Sequence, residues 1–91
     1  MDAIHLEIRG RVQGVGFRWF IVERAEELDL AGWVRNRSDG CVELAAAGPS
    51  EALKQLASAA RTGPRGARVE EVRDLPRVAP ESLRRPFEIA R

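Results

Sequence analysis

Three glycines fall within the nine residues Gly10-Arg11-Val12-Gln13-Gly14-Val15-Gly16-Phe17-Arg18, between an alternating apolar pattern and a helical one. A chain that changes its hydrophobic period at this point must turn from strand to helix. Glycines there can take positive φ and bring backbone N–H groups to a ligand without a Cβ in the way. The helix start beyond adds N–H groups with a partial positive charge, and Arg18 adds a planar fork suited to two oxyanion oxygens. The same spacing also fits a tight connection with Arg18 solvated. No Gly-Lys-Ser/Thr follows, and Trp19, three residues after Gly16, breaks the dinucleotide fingerprint, so a ligand here is smaller than a nucleotide.

Upstream, Ile4, Leu6 and Ile8 alternate with His5, Glu7 and Arg9, which predicts a strand over Ala3 to Arg9 with one buried face. Downstream, Phe17, Ile21, Ala25 and Leu28 recur at helical spacing and predict a helix from about Arg18 to Leu30, with Trp19 and Phe20 assigned to packing. Trp33 to Asn36 reads as a short strand, Ser38-Asp39-Gly40 as a hairpin turn, and Cys41 to Ala46 as its return, with Val42, Leu44 and Ala46 facing the core and Cys41 and Glu43 facing away. Gly48-Pro49-Ser50-Glu51 opens a second helix through Leu53, Leu56, Ala57 and Ala60, closed by Gly63-Pro64. The three-residue spacing of Val69 and Val72 marks Ala67 to Leu75 as an irregular strand with a bulge. Asp74 to Pro86, with three prolines, is expected to cross the surface, and Phe87-Glu88-Ile89 forms a last short strand.

The order β-α-β-β-α-β plus a final strand predicts an α+β, ferredoxin-like split βαβ sandwich with two helices on one face of a mainly antiparallel sheet. Ninety-one residues suffice for one domain, residues 1–91. Fifteen basic and 14 acidic side chains leave a net charge of +1, so no nucleic-acid partner is expected. One cysteine and one histidine exclude an internal disulfide, a multi-cysteine zinc site and a two-histidine metal site. Cys41 has no histidine nearby in sequence to activate it, and His5 falls on the polar face of its strand. No membrane segment or export signal is visible, and a cytoplasmic monomer is expected.

The loop from Gly10 to Arg18, followed after one helix by Gly32-Trp33-Val34-Arg35-Asn36, resembles the two signature segments of the acylphosphatase family; Gly48-Pro49 and Phe87-Glu88-Ile89 are similar as well. The resemblance covers nearly the whole chain. It implies hydrolysis of a small acyl phosphate to a carboxylate and inorganic phosphate with no metal and no cofactor. It implies phosphate binding by Val12, Gln13, Gly14, Val15, Gly16, Phe17 and Arg18, and catalytic roles for Arg18 on the phosphoryl group and Asn36 on the attacking water. The chain departs from the family pattern at Arg37, where a small hydroxyl residue is usual, and at Ala90, which precedes the terminal arginine.

Elementary chemistry agrees with that implication. The carboxylate leaving from an acyl phosphate is a weak base and needs no general acid, so positioning and electrostatics remain the tasks of the protein. The main rival is an RNA-binding sheet, but Phe17 stands at a loop-to-helix junction rather than on a central strand. A second is an acylphosphatase-like module of a larger carbamoyl phosphate enzyme, as in hydrogenase maturation, and a third is a catalytically silent interaction domain. The initial methionine and the short tail after the last strand favour an independent protein.

Overall fold

The computed structural model describes residues 1–91. Strands β1 (Asp2–Arg11), β2 (Ala31–Asn36), β3 (Val42–Gly48), β4 (Arg68–Asp74) and β5 (Glu88–Ile89) alternate with helices α1 (Phe17–Glu27) and α2 (Ser50–Thr62), and a 3₁₀ turn spans Pro80–Ser82. The strand order is β4-β1-β3-β2-β5, antiparallel throughout except for β2 and β5, which run parallel. This is the expected split βαβ sandwich. Leu6, Ile8, Val34, Val42, Leu44 and Ala46 form its inner face, and Phe17, Ile21 and Ala25 from α1 and Leu53, Leu56 and Ala60 from α2 pack onto it.

Elements end where the backbone forces them to. Helix α1 stops three residues before the expected Leu30, because Asp29 turns left-handed at φ 57 and Leu30 N–H bonds back to the Ala25 carbonyl at 2.9 Å. Strand β1 runs on to Arg11 because β4 pairs with it beyond a register shift: Arg9 faces Glu71, while Gly10 faces Val69. The extra residue, Glu70, is the bulge that the spacing of Val69 and Val72 predicts, and it lets both valines pack against the core. Strand β2 starts two residues earlier than its apolar pattern, at Ala31, and includes Gly32. Gly32 has φ +138, and a Cβ built on it would stand 2.0 Å from the Ala45 carbonyl oxygen, so only glycine lets β2 lie this close to β3.

The second face of the sheet carries no helix. The proline-bearing crossing from β4 to β5 runs over part of it, with the 3₁₀ turn against β3 and Gly32 N–H bonded to the Arg84 carbonyl at 3.0 Å. Two carboxylates there are buried, Glu7 and Glu43. Glu43 accepts from His5 at 2.6 Å and from Arg35 Nε at 2.9 Å, while Glu7 accepts from Arg37 at 2.7 Å. Burial by itself pushes the Glu43 carboxyl up, but the bonds from His5 and Arg35 outweigh it and hold the group below the usual glutamate range.

Two stability effects follow from these contacts. Gly32→Ala is expected to lose about 2–4 kcal/mol through the clash and the strained φ, read as a lower urea midpoint with an unchanged slope. A carboxylate whose folded pKa is depressed contributes stability that is complete above its unfolded value, about 4.3, and vanishes as pH falls through the folded value. Glu43→Gln should therefore cost about 1–3 kcal/mol at pH 7, with the gap to the parent closing below about pH 4 in urea unfolding.

Candidate active site

Strands β1 and β2 both pair antiparallel to β3 and so run parallel to each other, with their C-terminal ends at one end of the sheet. The loop from Val12 to Gly16 leaves the first, and Asn36 ends the second. Two buried side chains fix the loop, Val12 at its start and Phe17 at its end, with Val15 packed against the same core. Between them Gly14 at φ 75 and Gly16 at φ 78 take the left-handed conformation, and a Cβ on either would meet nothing within 4 Å. Their requirement is conformational, and the space beside them is open.

The loop leaves its backbone donors free. None of the N–H groups from Val12 to Trp19 donates to a backbone carbonyl; helical bonding begins with Phe20 N–H to Gly16 carbonyl at 3.0 Å. Gly16 caps α1 without a side-chain acceptor, and no acidic residue occupies the first turn. Arg18 stands in that turn, half-buried, and unlike Arg24, Arg35 and Arg37 it joins no ion pair. A run of unpaired donors, a helix N-terminus and an uncommitted guanidinium make a cradle with the chemistry to hold a tetrahedral oxyanion.

Asn36 pairs with Val42, which pairs with Ile8, and both of those residues face the helices. Directly opposed residues share a face, so Asn36 belongs to the side on which α1 begins. Its Oδ1 is buried without a hydrogen-bond partner. A buried acceptor left unpaired in this way needs a donor, such as a water proton. The hairpin after Asn36 is tied to the loop by the Gln13 side chain, whose Nε2 donates to the Arg37 carbonyl at 2.8 Å and the Cys41 carbonyl at 2.9 Å. The signature loop and the strand end that carries Asn36 are thus joined directly, as neither composition nor periodicity reveals.

Other residues fall elsewhere. His5 lies on the helix-free face, with its ring nitrogens on the Pro76 carbonyl and Glu43, seven residues or roughly 23 Å along the chain from the start of the loop at Val12. Cys41 faces that side as expected, yet is buried. Glu7, Asp39 and Cys41 lie close enough together to suggest a metal, but Arg37 is already forked across both carboxylates. The Asp39 carboxyl is held below its usual range chiefly by the Cys41 N–H, whose effect exceeds that of burial, with Arg37 lowering it further. Trp19 does not pack: it is 67% exposed, because two residues along α1 from buried Phe17 it stands on the opposite side of the helix, in solvent, whereas Phe20 rests against the core.

The acylphosphatase family model matches residues 4–89. An acylphosphatase of Koribacter versatilis is 50% identical over 82 residues, covering 90% of this chain and 74% of the relative. One of Salinibacter ruber is 58% identical over 69 residues, 76% of this chain and 73% of the relative. The crystal structure of acylphosphatase from Bacillus subtilis superposes with a TM-score of 0.92 at 38% identity, covering 100% of both chains. Matched by the family model along nearly its full length and by an acylphosphatase structure in its whole fold, the chain belongs to the acylphosphatase family, enzymes that release phosphate from acyl phosphates.

Proposed function

We propose that this chain, as a single domain over residues 1–91, hydrolyses small acyl phosphates by in-line attack of water on a phosphoryl group held by Arg18 and the amides from Val12 to Phe17. The observation that carries the reading is the run of unpaired N–H groups ending at an arginine without an ion-pair partner. Phosphate oxygens supply the acceptors that those donors lack. The guanidinium then balances charge on the equatorial oxygens as the bonds to phosphorus loosen.

Asn36 takes the second role. Its unpartnered Oδ1 accepts a hydrogen bond from the attacking water, and its NH₂ is free to donate to a phosphate oxygen. The water oxygen forms a bond to phosphorus as the bond from phosphorus to the acyl oxygen breaks, and the carboxylate leaves with the electron pair. The water proton passes to a phosphoryl oxygen of the substrate. Neither a carboxamide nor a guanidinium takes up a proton in the neutral range, and His5 stands on the other face. No step needs a metal, because the leaving group is already good and the cradle supplies positive charge. A cytoplasmic monomer acting without nucleic acid or membrane is part of the same reading, supported by the near-zero net charge and the single cysteine.

Loss of benzoyl phosphate absorbance with purified protein tests this. Arg18→Ala should lower kcat/KM by about 10³-fold and weaken inhibition by inorganic phosphate, since it removes a group used in both binding and the transition state. Asn36→Ala should lower kcat by about 10²-fold with phosphate inhibition nearly unchanged. The rate should be insensitive to chelator and flat between about pH 5.5 and 8. Activity that survives both substitutions, that disappears with chelator, or that titrates with a single group in the histidine range would overturn the mechanism.

A further inference from the structure

Gln13 contributes two separable groups. Its backbone N–H belongs to the unpaired run of the loop, while its side chain points to the hairpin after β2. Both partners of that side chain, the carbonyls of Arg37 and Cys41, are acceptors, so only the amide NH₂ can face them. It donates one hydrogen to each, at 2.8 and 2.9 Å. The same two residues are joined to each other by Arg37 N–H to Cys41 carbonyl at 2.8 Å. Arg37 is fixed at its other end, where the guanidinium reaches Glu7 Oε1 at 2.7 Å and also binds Asp39. The residue immediately after Asn36 is therefore held through its N–H, its carbonyl and its charged head.

We propose that the Gln13 side chain is a positioning residue for Asn36: it locks the mouth of the β2–β3 hairpin to the phosphate loop, so that the anion cradle and the water-steering carboxamide keep one relative geometry. The proposal rests on the water-steering reading of Asn36 given above. The Arg37–Glu7 pair braces the same hairpin from the helix-free face. Without the Gln13 donors, Val12, Phe17 and the loop N–H groups remain where they are, and only the attachment of the hairpin is lost. The consequence is specific: phosphate binding persists and turnover falls. In-line attack tolerates little displacement, since an error near 1 Å can cost on the order of 10²-fold.

The test is a double-substitution cycle on the full chain with benzoyl phosphate, using Gln13→Met, which keeps the length and removes the donors, together with Asn36→Ala. Gln13→Met alone should lower kcat by about tenfold while the inhibition constant for inorganic phosphate stays within about twofold. Added to Asn36→Ala it should change kcat by less than about twofold, because the group it positions is already gone. Melting temperatures of all variants accompany the kinetics. A fall in kcat of equal factor in both backgrounds, whatever the melting temperatures, would show that Gln13 acts independently of Asn36 and would overturn the proposal. A loss of phosphate inhibition matching the loss in kcat/KM would overturn it too, by making the side chain a phosphate ligand. Gln13→Glu, which removes one donor nitrogen and sets a carboxylate against two carbonyls, should be at least as impaired as Gln13→Met; parental turnover in it would likewise reject the proposal. Parental activity in Asn36→Ala alone would instead overturn the water-steering reading itself, and the proposal with it, so the two failures are told apart by different variants.

Discussion

A peptide loop that leaves successive N–H groups without protein acceptors is stable only if something other than hydrogen bonding holds its shape. Here the two ends are held by hydrophobic burial. Val12 and Phe17 are almost completely removed from solvent, and Val15 packs against the same core. The segment between them is too short to rearrange once both anchors are seated, and the left-handed glycines complete the turn. The loop's polar groups remain at the surface, where water or an anion can satisfy them without the full penalty of a buried orphan. Packing energy from one side of the loop thus maintains electrostatic capacity on the other.

The sheet carries this arrangement across the molecule. Because β1 and β2 run parallel with β3 between them, the loop after the first and the asparagine at the end of the second are brought to the same edge by topology alone. Close approach of β2 to β3 depends on Gly32, and the end of that ladder is tied to the loop by Gln13. The helix-free face has a complementary part. Buried Glu7 and Glu43 are tolerable there because arginines supply charged donors and a His5 ring nitrogen bonds Glu43, and one of those arginines, Arg37, belongs to the hairpin that follows Asn36. Arg37 is a long cation that spans from the hairpin to Glu7 on β1.

Much of this was legible in the order of residues, and the omissions have physical causes. Alternation in β1, helical spacing in α1 and α2 and the hairpin turn were all readable, because local periodicity reports which face of an element is buried. The bulge near Glu70 was also readable, from two valines three apart. Helix ends and strand ends were less so: the stop of α1 at Asp29 and the extension of β1 to Arg11 depend on bonds formed with other parts of the fold. Trp19 was misplaced because an apolar residue type says nothing of its angular position when the neighbouring Phe17 already defines the buried side.

By itself, the chain's residue order determined the class of fold, the position of the glycine loop at a strand-to-helix junction, and the identity of Arg18 and Asn36 as the residues to examine. The fold class, the loop and Arg18 follow from contacts near in sequence or from the period of hydrophobic burial, whereas Asn36 is marked only by the resemblance of its strand to the acylphosphatase signature. Only the tertiary structure decided that the loop's N–H groups lack protein acceptors, that the Asn36 Oδ1 is buried without a partner, and that Gln13 reaches a hairpin 24 and 28 residues away. Hydrogen bonding between residues so distant along the chain has no periodic signature, because it depends on how the strands are ordered and in what register they pair.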